Sequence, residues 1–226
     1  MKESHIVKVL KTEMVTHNVK RFQLEKPKKY NFTQGQATDI SINKPEFKDR
    51  KNPFTFTSQP EDNYLEFTIK MYPEREEGMT KHLKDIKKGD TLILHEVFGA
   101  IHYQGKGVFI AGGAGITPFI SILRMLRKRG ELKGNTLIFS NKTEKDIILK
   151  EEFDEMAKEG LKVIYTLTGE NNPKYDNKRI DEEYLKSKIE NFNQHFYICG
   201  PIRMVGELQH ILRKLGADSD SIVIET

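Results

Sequence analysis

The sequence predicts a chain of two domains, an antiparallel β-barrel over residues 1–103 followed by an α/β domain with a mostly parallel sheet over residues 104–226. Three observations predict it. Apolar and polar residues alternate with period two in the first part. From Lys106 onward, short strand-like runs alternate with helical ones. A glycine-rich turn follows the first strand of that second part and opens a helix. The boundary falls near Tyr103–Gly105, where one pattern gives way to the other.

The elements follow in chain order. Leu65, Phe67, Ile69 and Met71 alternate with Glu66, Thr68 and Lys70, the pattern of a strand with one face in a core and the other in water. Similar runs occur at Ile6–Val15, Val19–Leu24, Ala37–Ile42 and Thr91–Val97, and several short strands with turns between them suggest a closed antiparallel barrel or a sandwich. One short helix interrupts them, with Met79, Leu83 and Ile86 at helical spacing after Gly78. In the second part the strand-like runs are Gly107–Ala111, Thr136–Ser140, Lys162–Leu167 and His195–Cys199. The helical runs are Ile120–Arg129, Glu151–Lys158, Glu182–Ile189 and Ile202–Leu215. Glu144–Glu152, with mixed charges around Ile147-Ile148-Leu149, reads as the approach to a helix with a solvated face.

Composition narrows the function. The 226 residues are 37% hydrophobic and 31% charged with a net charge of +4, as in a globular protein. Mean hydropathy is −0.60, and every apolar run is short against the roughly 20 residues of a membrane helix, so no membrane span is expected. The start Met1-Lys2-Glu3-Ser4 lacks the apolar core of a signal peptide, and the cytoplasm is the expected compartment. The basic stretch Lys26-Pro27-Lys28-Lys29 has no interleaved aromatics and reads as a solvated loop, so no nucleic-acid partner is expected. The single cysteine, Cys199, excludes a four-thiolate iron–sulfur cluster in this chain, and the seven histidines show no metal-binding spacing. No metal site is expected, and redox chemistry would need an organic cofactor.

Three stretches carry chemistry. Ile110-Ala111-Gly112-Gly113-Ala114-Gly115-Ile116-Thr117-Pro118-Phe119 follows a strand and opens a helix. Its glycines allow a sharp turn and close approach of a ligand, Thr117 is placed to cap the helix, and the helix start favours a phosphate. In Phe196-Tyr197-Ile198-Cys199-Gly200-Pro201-Ile202-Arg203-Met204-Val205, a thiol, a glycine and a proline sit at the carboxyl end of a strand, the edge where open α/β sheets bind ligands. In Asn52-Pro53-Phe54-Thr55-Phe56-Thr57-Ser58, alternation puts Phe54 and Phe56 on one side and Thr55 and Thr57 on the other, which suits a core strand or a planar heteroaromatic ring.

Together the three stretches resemble the ferredoxin–NADP reductase superfamily, and within it the compact bacterial flavodoxin and oxygenase reductases. The resemblance spans essentially the whole chain and implies a flavin-binding antiparallel barrel followed by a pyridine-nucleotide domain. The family pattern R-x-[Y/F]-[S/T]-x-x-S is met by Phe54, Thr55 and Ser58, but Asn52 stands where the arginine that meets flavin phosphate would be. Arg50, two residues earlier, would share its side of an extended strand if Pro53 keeps the register.

The resemblance implies FAD as cofactor and NADPH or NADH as substrate, with hydride transfer to the flavin and single electrons passed on. Phe54 and Thr55 would line the ring, Lys70-Met71-Tyr72 the ribityl and adenosine part, and Gly78-Met79-Thr80 the flavin pyrophosphate. Gly112, Gly115 and Thr117 would meet the nicotinamide nucleotide, with Gly200, Pro201 and Met204 beside it and Cys199 at the transfer point. Thr55, Cys199 and Glu225 are the expected catalytic residues. Ser140 and Lys142, after the second parallel strand, are the expected readers of a 2′-phosphate. The chain ends in Glu225-Thr226 without a terminal aromatic, which implies an open flavin face. A small acidic carrier, flavodoxin or ferredoxin, is the expected partner of a monomer, drawn by Lys81, Lys84, Lys87 and Lys88. Asn52 leaves a second reading, a flavin- or nucleotide-binding regulatory or sensor subunit of a redox complex.

Overall fold

The computed structural model describes residues 4–72, 74, 78–99 and 101–225. The expectations about Met1-Lys2-Glu3 and Thr226 fall outside them. The chain divides into two compact units, Met1–Ala100 and Ile101–Thr226.

In the first unit six strands, β1 (His5–Thr16), β2 (Val19–Glu25), β3 (Ala37–Ile42), β4 (Asn52–Thr55), β5 (Tyr64–Lys70) and β6 (Thr91–Phe98), form one antiparallel sheet in the order β4-β3-β6-β1-β2-β5. The sheet is not a closed barrel. Among the described residues its outer strands meet past the end of β4, at a bridge between Phe56 and Phe67, where the Thr57 N–H donates to the Glu66 carbonyl at 2.8 Å. The chain then turns through Gln59–Asp62, held by the Gln59 N–H on Asp62 Oδ2 at 2.8 Å, which leaves no further residues to extend that pairing. Pro53 is tolerated because β4 is an edge strand, where a missing amide donor leaves no inner ladder broken.

The core of this unit is apolar and aromatic. Phe56 stacks on Phe32 at 4.1 Å and lies 4.9 Å from Phe67, with Leu24, Leu65, Leu92 and Leu94 around them. The short helix α1 (Met79–Leu83) buries Met79 and Leu83 against the same core, and Ile86 follows them in. Alternation along β5 fails in one respect: Glu66 and Thr68, expected in water, are only 3% and 4% exposed. The reason is the chain after β4, whose Thr57 hydroxyl donates to Glu66 Oε1 at 2.9 Å and lies 3.3 Å from the Thr68 hydroxyl.

In the second unit β7 (Gly107–Gly112), β8 (Thr136–Asn141), β9 (Lys162–Leu167), β10 (His195–Cys199) and β11 (Ile222–Glu225) form a parallel sheet in the order β11-β10-β7-β8-β9. Helices α2 (Thr117–Arg129), α3 (Lys150–Lys158), α4 (Glu182–Lys188) and α5 (Ile202–Lys214) cover it. One face packs Ile110, Ile138 and Ile198 with Leu185, Leu208 and Leu212 of α4 and α5. The other packs Phe109 against Phe119 of α2 and Phe139 against Phe153 of α3. A two-pronged ion pair, Arg124 to Glu152 at 2.6 and 2.8 Å, ties α2 to α3. The predicted helix approach over Glu144–Glu152 is a short turn at Glu144–Asp146, boxed by Thr143 and Asp146, before α3 begins. Strand β11 was not among the expected elements, although its run Ile222-Val223-Ile224 is β-branched throughout. No helix among the described residues is long and apolar enough to cross a membrane.

Candidate functional site

Strand order fixes where a ligand can sit in the second unit. From β7 the chain builds outward through β8 and β9, then returns to the other side of β7 for β10 and β11. The reversal point therefore lies between β7 and β10, and crevices at such points open at the carboxyl ends of the strands. Gly112 ends β7 and Cys199 ends β10, so the two nucleotide motifs of the sequence meet at this place.

They meet by backbone contact. A Cβ on Gly115 would overlap the Cys199 carbonyl, and one on Gly112 would lie 2.8 Å from Met204 Sδ and 2.9 Å from Pro201 Cδ. The outer side of the turn is unfilled, since a Cβ on Gly113 would have nothing within 4 Å. No side chain caps α2, so its first turn presents amides outward beneath a positive dipole end. Thr117 does not cap the helix as the sequence suggested. It is the first helical residue, and its hydroxyl donates back to the Ala114 carbonyl at 3.0 Å, which braces the turn. This cradle, packed inside and open outside, fits a nucleotide pyrophosphate.

Cys199 is 9% exposed, and in the β10–β11 register it stands beside Glu225. Burial first, and then the Glu225 carboxylate, push its thiol up to about 12, so it stays protonated at neutral pH. Ser140, at the end of β8, lines a cleft of about 280 Å³ with Thr168, Arg179, Pro201, Arg203 and Met204. Lys142, expected beside Ser140, is exposed and does not line this cleft. The cations there are Arg179 and Arg203, which the sequence reading missed. Arg203 stood in plain view in the first turn after Cys199-Gly200-Pro201, whereas Arg179 carries no local signal.

In the first unit Phe54 is half-buried and packs one side on the core. Thr55 is 8% exposed at the end of the edge strand and opposite Ala37. Lys70 lies two residues before Tyr72, with its ammonium 5.9 Å from the Tyr72 ring centre. These suit the rim of a flat aromatic ligand. Other expected residues are structural in their side chains: Met71 and Met79 are 5% and 2% exposed, and the buried Ser58 hydroxyl accepts the Glu66 N–H at 2.9 Å. At Gly78-Met79-Thr80 the helix start has no side-chain cap, and Thr80 is half-buried. Arg50 does not replace the missing family arginine by strand alternation, because β4 begins only at Asn52 and Arg50 lies 5.6 Å from the Phe47 ring centre.

An antiparallel sheet with an aromatic and hydroxyl rim, followed by a parallel sheet with a nucleotide cradle at its reversal point, defines the two-domain flavin and pyridine-nucleotide proteins. Comparison with known proteins agrees. Residues 4–148 match the model of an FAD-binding domain, and residues 109–210 that of an oxidoreductase NAD-binding domain. The chain belongs to the ferredoxin–NADP reductase superfamily of FAD-dependent oxidoreductases.

Among its relatives, NADH-cytochrome b5 reductase 2 of Mycosarcoma maydis is 30% identical over 77% of this chain, which spans 57% of that protein's length. NADH-cytochrome b5 reductase 1 of Ajellomyces capsulatus is 30% identical over 93% of this chain and 74% of its own. The crystal structure of a ferredoxin NADP+ reductase from Neisseria gonorrhoeae, with bound FAD and NADP, shares the fold at a TM-score of 0.87. It is 22% identical and covers 100% of this chain and 99% of its own.

Proposed function

We propose that the chain oxidises a reduced nicotinamide nucleotide and hands single electrons to a small acidic carrier protein. The carrier is of the cytochrome b5 kind named in its relatives rather than the flavodoxin or ferredoxin that the sequence suggested. The observation that carries the reading is the junction of Gly112–Thr117 with Cys199 and Glu225 at the sheet's reversal point. The chemistry that FAD supplies when bound is the conversion of a two-electron hydride into one-electron steps.

The residues divide the remaining work. The amides at the start of α2 hold the nucleotide's pyrophosphate, while Cys199, uncharged and soft, gives the nicotinamide a close wall that neither repels nor attacks it. Burial, with Glu225 after it, keeps the Cys199 proton on the sulfur, and Glu225 offers its carboxylate as an acceptor beside the ring. In the first unit the Thr55 hydroxyl and the Phe54 ring bound the flavin. The pull on an acidic carrier comes from Lys81, Lys84, Lys87 and Lys88, in a stretch with 18 basic against 15 acidic residues up to Tyr103.

Rapid mixing of the FAD-loaded protein with NADPH or NADH tests the first half: the flavin absorbance should bleach, and binding without bleaching overturns the reading. Reduction of an acidic cytochrome b5 should then slow steeply as salt rises, whereas reduction of a neutral dye should not. An equal salt response of both acceptors removes the acidic carrier from the proposal.

A further inference from the structure

Strand β1 changes neighbours along its length. His5–Lys8 pairs with β6, and Val9 closes that contact, its N–H donating to the Asp90 carbonyl at 2.8 Å and its carbonyl accepting from the Gly89 N–H at 2.9 Å. Beyond Val9, the stretch from Lys11 to Thr16 pairs with β2 alone among the described residues. A strand that lies inside the sheet at its start is therefore an open edge at its end. The backbone groups of such an edge are a template for another strand.

The side chains of this stretch match a copy of themselves. In the register with β2, Thr12 stands opposite Phe22 and Met14 opposite Lys20, both of which are buried, so Thr12 and Met14 share the core face. Lys11 and Glu13, opposite Gln23 and Arg21, share the other face. The ladder is regular over Lys11–Met14, between register shifts at Val9/Lys11 and Met14/Thr16. Two such edges meeting antiparallel about a two-fold axis on Thr12 set Lys11 opposite the partner's Glu13 and Glu13 opposite the partner's Lys11. The same axis sets Leu10 opposite the partner's Met14.

Each of these pairs is complementary. Leu10 and Met14 are 39% and 53% exposed, large apolar side chains left in water. Glu13 pairs with Lys11 at 2.8 Å and with Arg21 in its own chain, so the partner's Lys11 extends an alternation of charge that is already present. Moving the axis by one residue either way sets Lys11 or Glu13 against its own copy, and like charges directly opposite repel. One register is thereby selected.

We infer that the Leu10–Thr16 edge of β1 joins a second copy of this chain in a two-fold dimer, with the antiparallel sheets continuous through the interface. The sequence suggested a monomer. One short strand edge buries less than the roughly 1,200 Å² of a stable interface, so monomer and dimer exchange with concentration. Lys11 and Glu13 set the orientation and register of the pair, and Leu10 and Met14 supply its apolar contact.

Sedimentation equilibrium of the FAD-loaded protein reads the dimer directly. The mean mass should rise from one chain toward two between micromolar and millimolar concentration. Lys11→Glu and Glu13→Lys each place like charges at both crossings, and each should weaken association at least about ten-fold. Mixed in equal amounts, the two variants carry unlike charges at both crossings and should associate again, an outcome that damage to the fold does not produce. Amide exchange of the natural chain at low and high concentration needs no variant, and protection should grow over Leu10–Thr16. A mass that stays at one chain throughout overturns the inference, as does a dimer that both variants leave intact or a mixture that associates no more than its components. Protection of the edge by an added acidic carrier, but not by concentration, overturns it too.

Discussion

The two units build their candidate sites by opposite means. In the parallel unit the site is made by backbone: Gly112, Gly115 and Gly200 let one strand end press on another, and side chains enter only at the margins. In the antiparallel unit it is made by side chains on a strand, with Phe54 half-buried and Thr55 buried at the strand's end, while the next residues, Phe56 and Thr57, lock the chain from within. A parallel sheet gathers its strand ends at one edge, so a ligand there meets turns. An antiparallel sheet offers its faces, so a ligand there meets rotamers. The first kind should be brittle to added atoms, and the second sensitive to lost hydrogen bonds.

The sharpest test of the sealed parallel site is Cys199. With the thiol held at about 12 against an ordinary 9.0, its thiolate population at pH 8 falls about a thousand-fold, so alkylation by iodoacetamide, followed by mass spectrometry, should be slower than for a free cysteine by at least about a hundred-fold. Glu225→Gln should speed it. Linkage gives the sign for stability. The folded thiol keeps its proton longer than the unfolded one, so this contribution is complete below about pH 9 and is lost as pH rises toward 12.

Next in size is Gly115→Ala. Its methyl group would overlap the Cys199 carbonyl, with backbone on both sides and no flexible tip to give way, and a loss of about 3 kcal/mol in denaturant unfolding is expected. A normal midpoint would break the comparison, because the parallel site would then be no more brittle than its counterpart. In the antiparallel unit, Thr57→Val deprives the buried Glu66 carboxylate of a donor at 2.9 Å and should cost about 2 kcal/mol, read by the same titration. The smallest effect belongs to Gly113→Ala. The added methyl meets nothing within 4 Å, and only its φ of +54° opposes a side chain, so about 1 kcal/mol is expected.

What could be read in advance follows the same division. The order of strands and helices was legible because each element carries its own period, and the glycine turn was legible because a turn that admits a second backbone needs glycine. The open edge of the first sheet was not, since closure depends on how many residues follow Thr55 before the chain must turn at Gln59–Asp62. Glu66 was assigned to water because alternation describes one strand, whereas its partner Thr57 arrives from another. Lys142 was expected beside Ser140 for a related reason, and Arg179 and Arg203 were not considered there. Nearness in sequence to Ser140 is no guide to which long side chains the next strands and helices bring to the same cleft.

The short seam between Phe56–Ser58 and Glu66–Thr68 also sets where the first unit can breathe. A sheet joined over so short a stretch of its seam, Phe56–Ser58 against Glu66–Thr68, has few fastenings to undo, and the amides of β4 and the facing side of β5 can exchange with water at a cost well below that of global unfolding. A flavin resting on Phe54 and Thr55 at the lip of that seam would work as a clasp. Cofactor loading should then be felt first as slower amide exchange along β4, before any change in the melting of the unit.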